Sequence, residues 1–575
     1  MKTKNYLNAV LLGWIICTAF EPAFLFSQSA TFRNPILPGA YPDPSICRVG
    51  EDFYLVNSSF EYFPGLPIHH SKDLVNWELI GYGLHRPEQA SGAVNLVDVQ
   101  QDGGIHAPTL RYHEGTFYLI TTNVYSPTDP GKPTEMVNFI LTAQHPAGPW
   151  SDPHVIEGAP GIDPDLFFDD DGKTYFVGTH DVGKPETNGI GEIWIQELDL
   201  VNWKLVGTRH SVWRGACGGC CVEGPHLYKE HGKYYLLIAE GGTSHYHAVM
   251  MAASENIFGP YESNPRNPVL TSRHLSKNNW VTSTGHADMV ELQDGRWYMV
   301  ALSTRNELQG HSNMGRETHL VPLTWEPATL RWEEVRPGVW EPLDYLWPVA
   351  APETGKVERY TALPFADRPQ YKKDAFLDNF NSGSLNLEWN FRRVPANNMY
   401  SLTAKPNYLR ILLQPETISM RGRSSLLGIR QKESDFEYTA ELDFSPRQDR
   451  EEAGISHFQK DDNYINFTVS REAGRNILQL VVVEREKDAE VVAKKALEDY
   501  PGNIRLQLIS KGDRYTYQYS LDGGQTFTVF TQIPARYLLS NGYTGAYLGL
   551  YASSNGQPTD GYADIDWVFY QDFQR

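Results

Sequence analysis

The sequence lacks three things: an excess of positive charge, many cysteines, and a long apolar run beyond its N-terminus. Lysine and arginine total 50 against 70 aspartate and glutamate residues, which gives a formal net charge of −20 over 575 residues. Such a charge repels phosphate backbones and argues against a nucleic-acid-binding protein. No later segment is apolar enough to cross a bilayer, which excludes stable membrane insertion.

Cysteine is scarce, yet three of the five cysteines lie close together. Four follow the N-terminal segment: Cys47, Cys217, Cys220 and Cys221. The last three resemble half of a zinc site, but no second Cys or His pair follows at the usual spacing. We expect a structural thiol cluster or a local disulfide, which an exported protein permits, and we assign these residues no catalytic role.

The N-terminus has the layout of a secretory signal. Lys2 and Lys4 precede an apolar run over residues 9–20, and the small residue Ser27 stands at the expected cleavage point. A membrane anchor would need about 20 uninterrupted apolar residues and fits less well. We therefore predict a cleaved signal over residues 1–27 and a mature protein that is periplasmic or secreted.

Glycine and aromatic residues are abundant, and they recur in a repeat. The chain has 48 Gly, 14 Trp, 32 Tyr and 25 Phe. Each copy has a polar or acidic residue, usually a proline, an apolar strand start, a glycine turn and an aromatic-rich strand. The markers are Pro44, Pro108, Pro164, Pro225 and Ala287, separated by 64, 56, 61 and 62 residues.

Five such copies predict a five-bladed β-propeller over residues 28–349. A weaker second pattern lies between the copies and includes Trp77, Trp150 and Trp203, so each period holds two hairpins. Hydrophobic residues alternate with a period of two rather than 3.6, which indicates strands. Four-stranded units repeated radially form a propeller. The alternative is a long β-sandwich with coincidental turns, which five aligned copies disfavour.

The composition changes near residue 350. Residues 350–373 carry charge and prolines without strand alternation, which is typical of a linker. Residues 374–575 contain alternating strands without the repeat, which predicts a jelly-roll or lectin-like sandwich in an all-β protein. The predicted strands are 408–413, 436–444, 464–470, 477–486, 504–509, 515–520, 547–551 and 562–570.

The repeat brings titratable residues together. The innermost strand of each propeller blade lines the central channel, so the residues that start these strands face one space. They are Asp43, His106, Asp163, Glu223 and His286. Like charges placed close together raise one another's pKa and cost stability, so such a cluster indicates a functional site. Paired carboxylates suit glycoside hydrolysis; the alternatives are a metal site or solvated acids at the channel mouth.

Three sequence blocks resemble the signatures of glycoside hydrolase family 43. They are the segment 34–45 around Asp43, the segment 161–164 around Asp163, and the segment 222–228 around Glu223. The trailing sandwich is similar to the concanavalin-like domain of the xylosidase and arabinofuranosidase branches. The resemblance implies an inverting mechanism with Asp43 as general base, Glu223 as general acid, and Asp163 as the residue that tunes and orients the acid. Asp165 competes for the tuning role.

The resemblance also implies residues that contact the sugar. Arg316 resembles the arginine that binds sugar hydroxyls, and Phe60, Ile105, His106 and Ala107 resemble the wall of the subsite. Related xylosidases often have Trp where this chain has His106, so the preferred sugar is left open. His286 resembles a histidine that in some members lies near a calcium ion or water. No cofactor is required, and a structural Ca²⁺ in the channel is an option.

These expectations lead to an exo-acting glycosidase. Its substrate would be an oligosaccharide or polysaccharide with a terminal pentose, and its action the release of non-reducing α-L-arabinofuranose from side chains such as those of xyloglucan or arabinoxylan. β-Xylosidase, or dual activity on xylo-oligosaccharides, is the close alternative. A non-catalytic carbohydrate-binding protein is a remote one, since a lectin does not need three converging carboxylates.

Overall fold

The computed structural model describes residues 30–181, 191–217, 220–307, 311–371, 375–539 and 543–573. The predicted leader, residues 1–27, and residues 372–374 at the predicted linker–sandwich boundary lie outside this part. The fold is all-β, with 54% strand and 2% helix, which confirms the predicted class. Its short 3₁₀ helices include Pro87–Ala90 and Ala535–Leu538. No helix in the described ranges has the length and apolar character needed to span a membrane.

Five antiparallel sheets form the propeller, and each corresponds to one copy of the sequence repeat. Blade I has strands Ser45–Val49, Asp52–Val56, Gly65–Ser71 and Glu78–Leu84. Blade II has Gly104–Ile105, Thr109–His113, Thr116–Tyr125, Glu135–Ala143 and His154–Val155. Blade III has Ile162–Phe168, Thr174–Asp181, Gly191–Asp199 and Lys204–Trp213. Blade IV has Glu223–Glu230, Lys233–Glu240, Ala248–Ser254, Glu262–Ser263 and Leu270–Thr271. Blade V has Val281–Glu291, Trp297–Arg305, Arg316–Arg336 and Val339–Ala350.

The innermost strands of blades III, IV and V are irregular where they begin. Their registers shift between Ile162 and Asp165, between Glu223 and His226, and between Thr282 and Ala287. A β-bulge of this kind bends the strand and changes the direction in which a side chain points. Two of the bulges therefore lie at the candidate catalytic residues Asp163 and Glu223, and the third lies at His286.

The N-terminal strand is paired with a segment that the sequence predicted to be a linker. Thr31–Arg33 runs antiparallel to Tyr360–Ala362, and Leu37 bridges to Thr318 in blade V. The prediction of a strand-free linker over residues 350–373 is thus wrong at this point. A three-residue strand whose partner lies more than 300 positions away has no local alternation long enough to reveal it.

Two eight-stranded sheets form the C-terminal sandwich. The first contains Phe376–Asp378, Tyr400–Ser401, Leu409–Leu412, Phe436–Asp443, Asn503–Lys511, Arg514–Ser520, Thr528–Pro534 and Tyr562–Asp572. The second contains Asn390–Arg392, Ser425–Arg430, Glu452–Lys460, Asn463–Glu472, Arg475–Val483, Glu490–Ala496, Tyr547–Ser553 and, from the propeller, Tyr62–Phe63. All eight predicted sandwich strands overlap an observed one, and a propeller segment completes the edge of the second sheet.

The propeller and the sandwich share one hydrophobic core. A single cluster of buried side chains joins Leu84 and Trp150 of the propeller to Trp389 and Leu548 of the sandwich. Ion pairs also cross the boundary between the propeller and the sandwich. Removal of one partner of such a pair would leave an uncompensated charge. The pairs join Arg305 to Glu433, Arg392 to Glu61, and Lys460 to Asp102. The sandwich is therefore packed rigidly against the mouth of the channel.

Candidate active site

Three carboxylates occupy the mouth of the channel, each at the start of an inner strand. Asp43 precedes Ser45–Val49, Asp163 is the second residue of Ile162–Phe168, and Glu223 is the first residue of Glu223–Glu230. Asp43 and Asp163 have φ angles of 50° and 53°, in the left-handed region that non-glycine residues rarely adopt. Backbone strain of this kind costs about 1–3 kcal/mol and concentrates at functional sites.

Asp43 is buried but surrounded by groups that favour its ionised form. Burial alone would raise its pKa, but Arg316, His286 and Ser58 outweigh burial and hold the pKa below 3.8. Ser58 donates a hydrogen bond of 2.6 Å to Oδ2, and Arg316 Nη1 lies 3.3 Å from Oδ1. Asp43 is therefore a carboxylate at neutral pH and can accept a proton from water.

Asp163 and Glu223 have the opposite electrostatic situation. Burial and the negative charge of Asp43 outweigh the opposing charge of Arg316 and raise the pKa of Glu223 to about 7. Burial and the neighbouring charges of Glu223 and Asp43 raise the pKa of Asp163 well above 3.8. Asp163 Oδ2 accepts a hydrogen bond of 3.2 Å from the backbone N–H of Gly224, the residue that follows the glutamate. This contact connects Asp163 to the strand that carries Glu223.

Asp165, the competitor for the tuning role, belongs to a different cluster deeper in the channel. Its Oδ1 lies 2.9 Å from Arg111 Nη2, and its Oδ2 accepts a hydrogen bond from the N–H of Leu227. Arg111 also lies 3.2 Å from Asp288 Oδ2. The geometry therefore favours Asp163 over Asp165 as the neighbour of Glu223.

Arg316 lies between the base and an aromatic wall. It is the first residue of the strand Arg316–Arg336, and its side chain is buried. Its guanidinium carbon lies 5.7 Å from the ring centre of Phe60 and 5.0 Å from that of Tyr543. Its Nε is buried and has no hydrogen-bond partner among the described residues.

The predicted subsite wall is only partly assembled from the expected side chains. The ring of His106 packs edge-on against Phe60 at 5.2 Å. Ile105 is fully buried in the large core cluster, and its backbone exchanges hydrogen bonds with that of Phe60. Ala107 is also buried. Ile105 therefore positions Phe60 through the backbone, whereas His106 packs directly against the Phe60 ring.

A channel calcium ion would need oxygen ligands close to His286. Burial lowers the pKa of His286 to about 4, and its Nδ1 lies 3.8 Å from Asp43 Oδ1. The acids further along the inner strands, Asp165 and Asp288, are already paired with Arg111. No cluster of three or more ligating side chains suits a metal ion in the described ranges. These residues do not fit the calcium, and Arg111 supplies the positive charge instead.

Comparisons with known proteins match the whole described chain. A sequence profile of "Glycosyl hydrolases family 43" matches residues 32–329. The profile of the "Beta xylosidase C-terminal Concanavalin A-like domain" matches residues 377–571. The chain belongs to glycosyl hydrolase family 43. It is accordingly a glycoside hydrolase, as the three sequence blocks predicted.

Several characterised family 43 proteins are similar along their entire length. A xylosidase/arabinosidase of Butyrivibrio fibrisolvens is 41% identical over 93% of this chain and 98% of its own. A non-reducing end α-L-arabinofuranosidase of Bacteroides ovatus is 36% identical over 99% of both chains. The solved structure of the Bacteroides ovatus xyloglucan-locus family 43 protein superposes with a TM-score of 0.81 at 35% identity, covering 94% of this chain and 100% of that one.

Tyr543, from the sandwich, completes the pocket of this family 43 enzyme and was not predicted from the sequence. Its ring stacks on Phe60 at 5.6 Å with an interplanar angle of 11°, and it lies 6.2 Å from His106. No local pattern distinguishes it from the other tyrosines of the sandwich. The nearest signal is the pair of glycines around it, Gly542 and Gly545 of the sequence Asn-Gly-Tyr-Thr-Gly, because glycine allows close backbone approach.

A close backbone contact holds Tyr543 against Arg316. Gly315 has a φ of 68°, and a Cβ there would lie 2.6 Å from the nitrogen of Gly545. A Cβ on Gly545 would lie 2.1 Å from the carbonyl oxygen of Met314. The N–H of Ala546 donates a hydrogen bond of 2.7 Å to the carbonyl oxygen of Asn313. Only glycine fits at both positions, so this contact fixes the aromatic ring relative to the guanidinium.

Proposed function

We propose that this protein is an exo-acting, inverting glycosidase that removes a terminal α-L-arabinofuranose from plant polysaccharide side chains or oligosaccharides. One observation carries the proposal: a single channel mouth holds a carboxylate kept ionised, Asp43, and a carboxyl kept protonated, Glu223. A base and an acid with separated pKa values are what glycoside hydrolysis needs at neutral pH.

In this mechanism Asp43 removes a proton from water as the water attacks the anomeric carbon. Glu223 gives its proton to the glycosidic oxygen as the bond to the leaving group breaks. Asp163 holds the strand of Glu223 through the N–H of Gly224 and so orients the acid. Arg316 binds sugar hydroxyls with its guanidinium group and keeps Asp43 ionised.

The sandwich supports exo action. Tyr543 and Phe60 form a stacked aromatic pair beside Arg316, and Lys460 pairs with Asp102 at the same boundary. These contacts place sandwich residues at the channel mouth, so a long polysaccharide cannot run across it. A chain end or a single side-chain sugar can enter a pocket of this kind.

The sugar preference is proposed from the relatives, one of which is named a non-reducing end α-L-arabinofuranosidase and another a xylosidase/arabinosidase. β-Xylosidase activity is the second candidate, because a Vibrio relative that is 34% identical is named a xylan 1,3-β-xylosidase. Rates on nitrophenyl α-L-arabinofuranoside and β-xyloside decide between them. A kcat/KM for the xyloside well above that for the arabinofuranoside would reverse this order.

The stereochemistry has its own test. Proton NMR of the first-formed sugar should show the anomer of opposite configuration to the substrate. Prompt appearance of the same configuration would contradict inversion and would assign Asp43 the role of nucleophile.

We further propose that hydrolysis needs no metal ion, because Arg111 holds the acids that a channel calcium would need. The rate should be unchanged after dialysis against EDTA and after addition of Ca²⁺. A loss with EDTA that Ca²⁺ restores would contradict this. Export by the leader over residues 1–27 is likewise a proposal, which N-terminal sequencing of the protein from the natural host tests.

A further inference from the structure

Three cysteines lie on the segment that leads to the proposed acid. This segment joins Trp213, at the end of blade III, to Glu223, at the start of blade IV. Cys220 and Cys221 come immediately before Val222, so the second thiol is two residues from Glu223. Nothing in the proposed mechanism uses these sulfurs.

Two of the three sulfurs are in contact with each other. The Sγ atoms of Cys220 and Cys221 lie 2.7 Å apart. The third thiol has a different neighbour, because Cys217 Sγ lies 3.8 Å from Arg273 Nη2. Cys221 has a φ of 62°, a left-handed conformation that brings its side chain beside that of the preceding residue. The contact is therefore specific to the adjacent pair.

The pair is held between two blades. The N–H of Gly241 donates to the carbonyl of Cys220 at 2.9 Å, and a Cβ on Gly242 would lie 3.7 Å and 3.9 Å from the two sulfurs. On the other side, Thr179 Oγ1 donates to the carbonyl of Val222 at 2.5 Å. Any change in the Cys220–Cys221 geometry thus acts on the backbone that positions Glu223.

We propose that Cys220 and Cys221 form a redox-modified site, in which their thiols close a vicinal disulfide that braces the strand start carrying Glu223. The oxidant is a disulfide, either small or on a thiol oxidase. One thiolate of the pair attacks that disulfide and releases one thiol; the neighbouring thiolate then attacks the mixed disulfide and releases the second. Two S–H bonds are lost, one S–S bond forms, and the oxidant is reduced to two thiols that carry both protons.

Adjacent cysteines make a disulfide that is easy to reduce. Their Cα atoms are about 3.8 Å apart across a trans peptide, whereas bridged cysteines usually have Cα atoms about 4.4–6.8 Å apart. Strained and solvent-accessible disulfides are the labile and regulatory ones. Cys220 is exposed and Cys221 half-buried, so a small thiol or disulfide can reach them. Burial and the contact with Cys220 raise the pKa of Cys221 to about 12. Cys220 is the more exposed of the two and is therefore the entry point.

Peptide mapping of the full-length protein tests the bond directly. The protein is incubated with oxidised glutathione, alkylated with iodoacetamide without reduction, and digested with trypsin. Cleavage after Arg214 and Lys229 gives one peptide, residues 215–229, that contains Cys217, Cys220 and Cys221. We expect this peptide to carry one alkyl group, on Cys217, and to carry three when the protein is reduced with dithiothreitol before it is alkylated. Three alkyl groups before reduction, or a bond that includes Cys217, would overturn the proposal.

The catalytic consequence rests on Glu223 being the acid, as proposed above, and is tested separately. We expect kcat of the oxidised protein to exceed that of the reduced protein by roughly threefold to tenfold with KM little changed, because a loosened acid is misplaced in the transition state. Cys217→Ser is the matched control and should keep this redox response. Cys220→Ser and Cys221→Ser should each lose it and stay at the lower rate.

The two failures are distinguishable. If the disulfide forms but kcat and its pH profile are the same in both redox forms, the disulfide does not brace the strand of Glu223. The proposed role of Glu223 as the acid is then unaffected. If Glu223→Gln keeps full activity while the disulfide still forms, the proposed acid is wrong and the modified site stands.

Discussion

Two layers of acidic side chains are buried in the same channel, and they differ in how far their negative charge is compensated. The mouth layer, Asp43, Asp163 and Glu223, has three carboxyls close to one buried arginine, Arg316. The second layer, further along the inner strands, has Asp165 and Asp288 paired with Arg111. His226, Tyr228 and Ser45 add hydrogen bonds or charge to that layer.

The difference is visible in the pKa values. In the second layer burial would raise the pKa of Asp288, but His226, Arg111 and Tyr228 hold it well below its usual range. In the mouth layer burial and like charge dominate, and the pKa values of Asp163 and Glu223 are raised. The two layers teach that position in a propeller channel does not make an acid catalytic. Incomplete charge compensation distinguishes Asp163 and Glu223 from the acids of the second layer.

The largest effect should come from removing the proposed acid. Glu223→Gln keeps the size of the side chain but cannot donate the proton, so kcat should fall by about 10²–10⁴-fold. The same change removes a carboxyl that is costly to ionise when buried, and it should stabilise the fold above pH 7 by about 1 kcal/mol. Hydrolysis rates and urea unfolding at pH 8 measure both. Asp170→Asn, at an exposed acid of blade III, is the control and should change neither.

Removal of the arginine of the second layer should lower the stability of the fold, whereas Glu223→Gln should raise it. Arg111→Met leaves Asp165 and Asp288 buried without their counter-charge, and the free energy of unfolding should fall by about 3–5 kcal/mol. Urea denaturation measures this loss, with Arg48→Met at an arginine whose Nη1 donates to Gly50 on the surface as control. Unchanged stability would show that the second layer is not a structural ion cluster.

The charge of Arg316 should set the pH range of activity. It lowers the pKa of both Asp43 and Glu223. Asp43 must be ionised and Glu223 protonated, so Arg316→Met should move both limbs of the kcat/KM profile to higher pH, by about one unit. The wild-type alkaline limb is expected near pH 7, where Glu223 ionises. Arg316→Lys keeps the charge and should leave the limbs in place; limbs that move equally in both variants would contradict the electrostatic role.

The smallest effect should come from removal of Tyr543, the sandwich residue at the mouth of the channel. Tyr543→Ala removes the ring that stacks on Phe60 and lies over Arg316, and kcat/KM should fall by roughly tenfold, since such aromatic contacts contribute about 0.5–1.5 kcal/mol. Tyr543→Phe keeps the ring and should stay within about twofold. Equal loss in both variants would assign the effect to the hydroxyl instead.

Much of this architecture was readable from local pattern. In four blades an inner strand starts within two residues of its repeat marker, because a hairpin with its turn and aromatic strand is a local unit. In blade V the strand begins at Val281, six residues before the marker Ala287. The register of the repeat brings Asp43, Asp163 and Glu223 together without any distance information. Eight sandwich strands were found for the same reason, but others were missed, including Ser425–Arg430, Glu452–Lys460, Glu490–Ala496 and Thr528–Pro534.

What the sequence could not show depends on contacts between distant segments. Tyr543 meets Phe60 across more than 480 residues, and Tyr62–Phe63 joins a sheet built from residues after 389. The choice between Asp163 and Asp165 likewise depends on which of them Arg111 reaches. Hydrophobic period and turn chemistry describe neighbours along the chain, so they carry no information on such pairs.

The shared sheet has a consequence for how the protein is made. Tyr62 and Phe63 leave the ribosome early, whereas their partner strand, Asn390–Arg392, follows more than 320 residues later. At a translation rate of about 5–20 residues per second, Tyr62 and Phe63 stay unpaired for roughly 15–60 seconds. During that time the propeller side chains of the common core are exposed. Nascent chains of this protein should therefore bind chaperones that recognise exposed apolar surface until the sandwich has emerged.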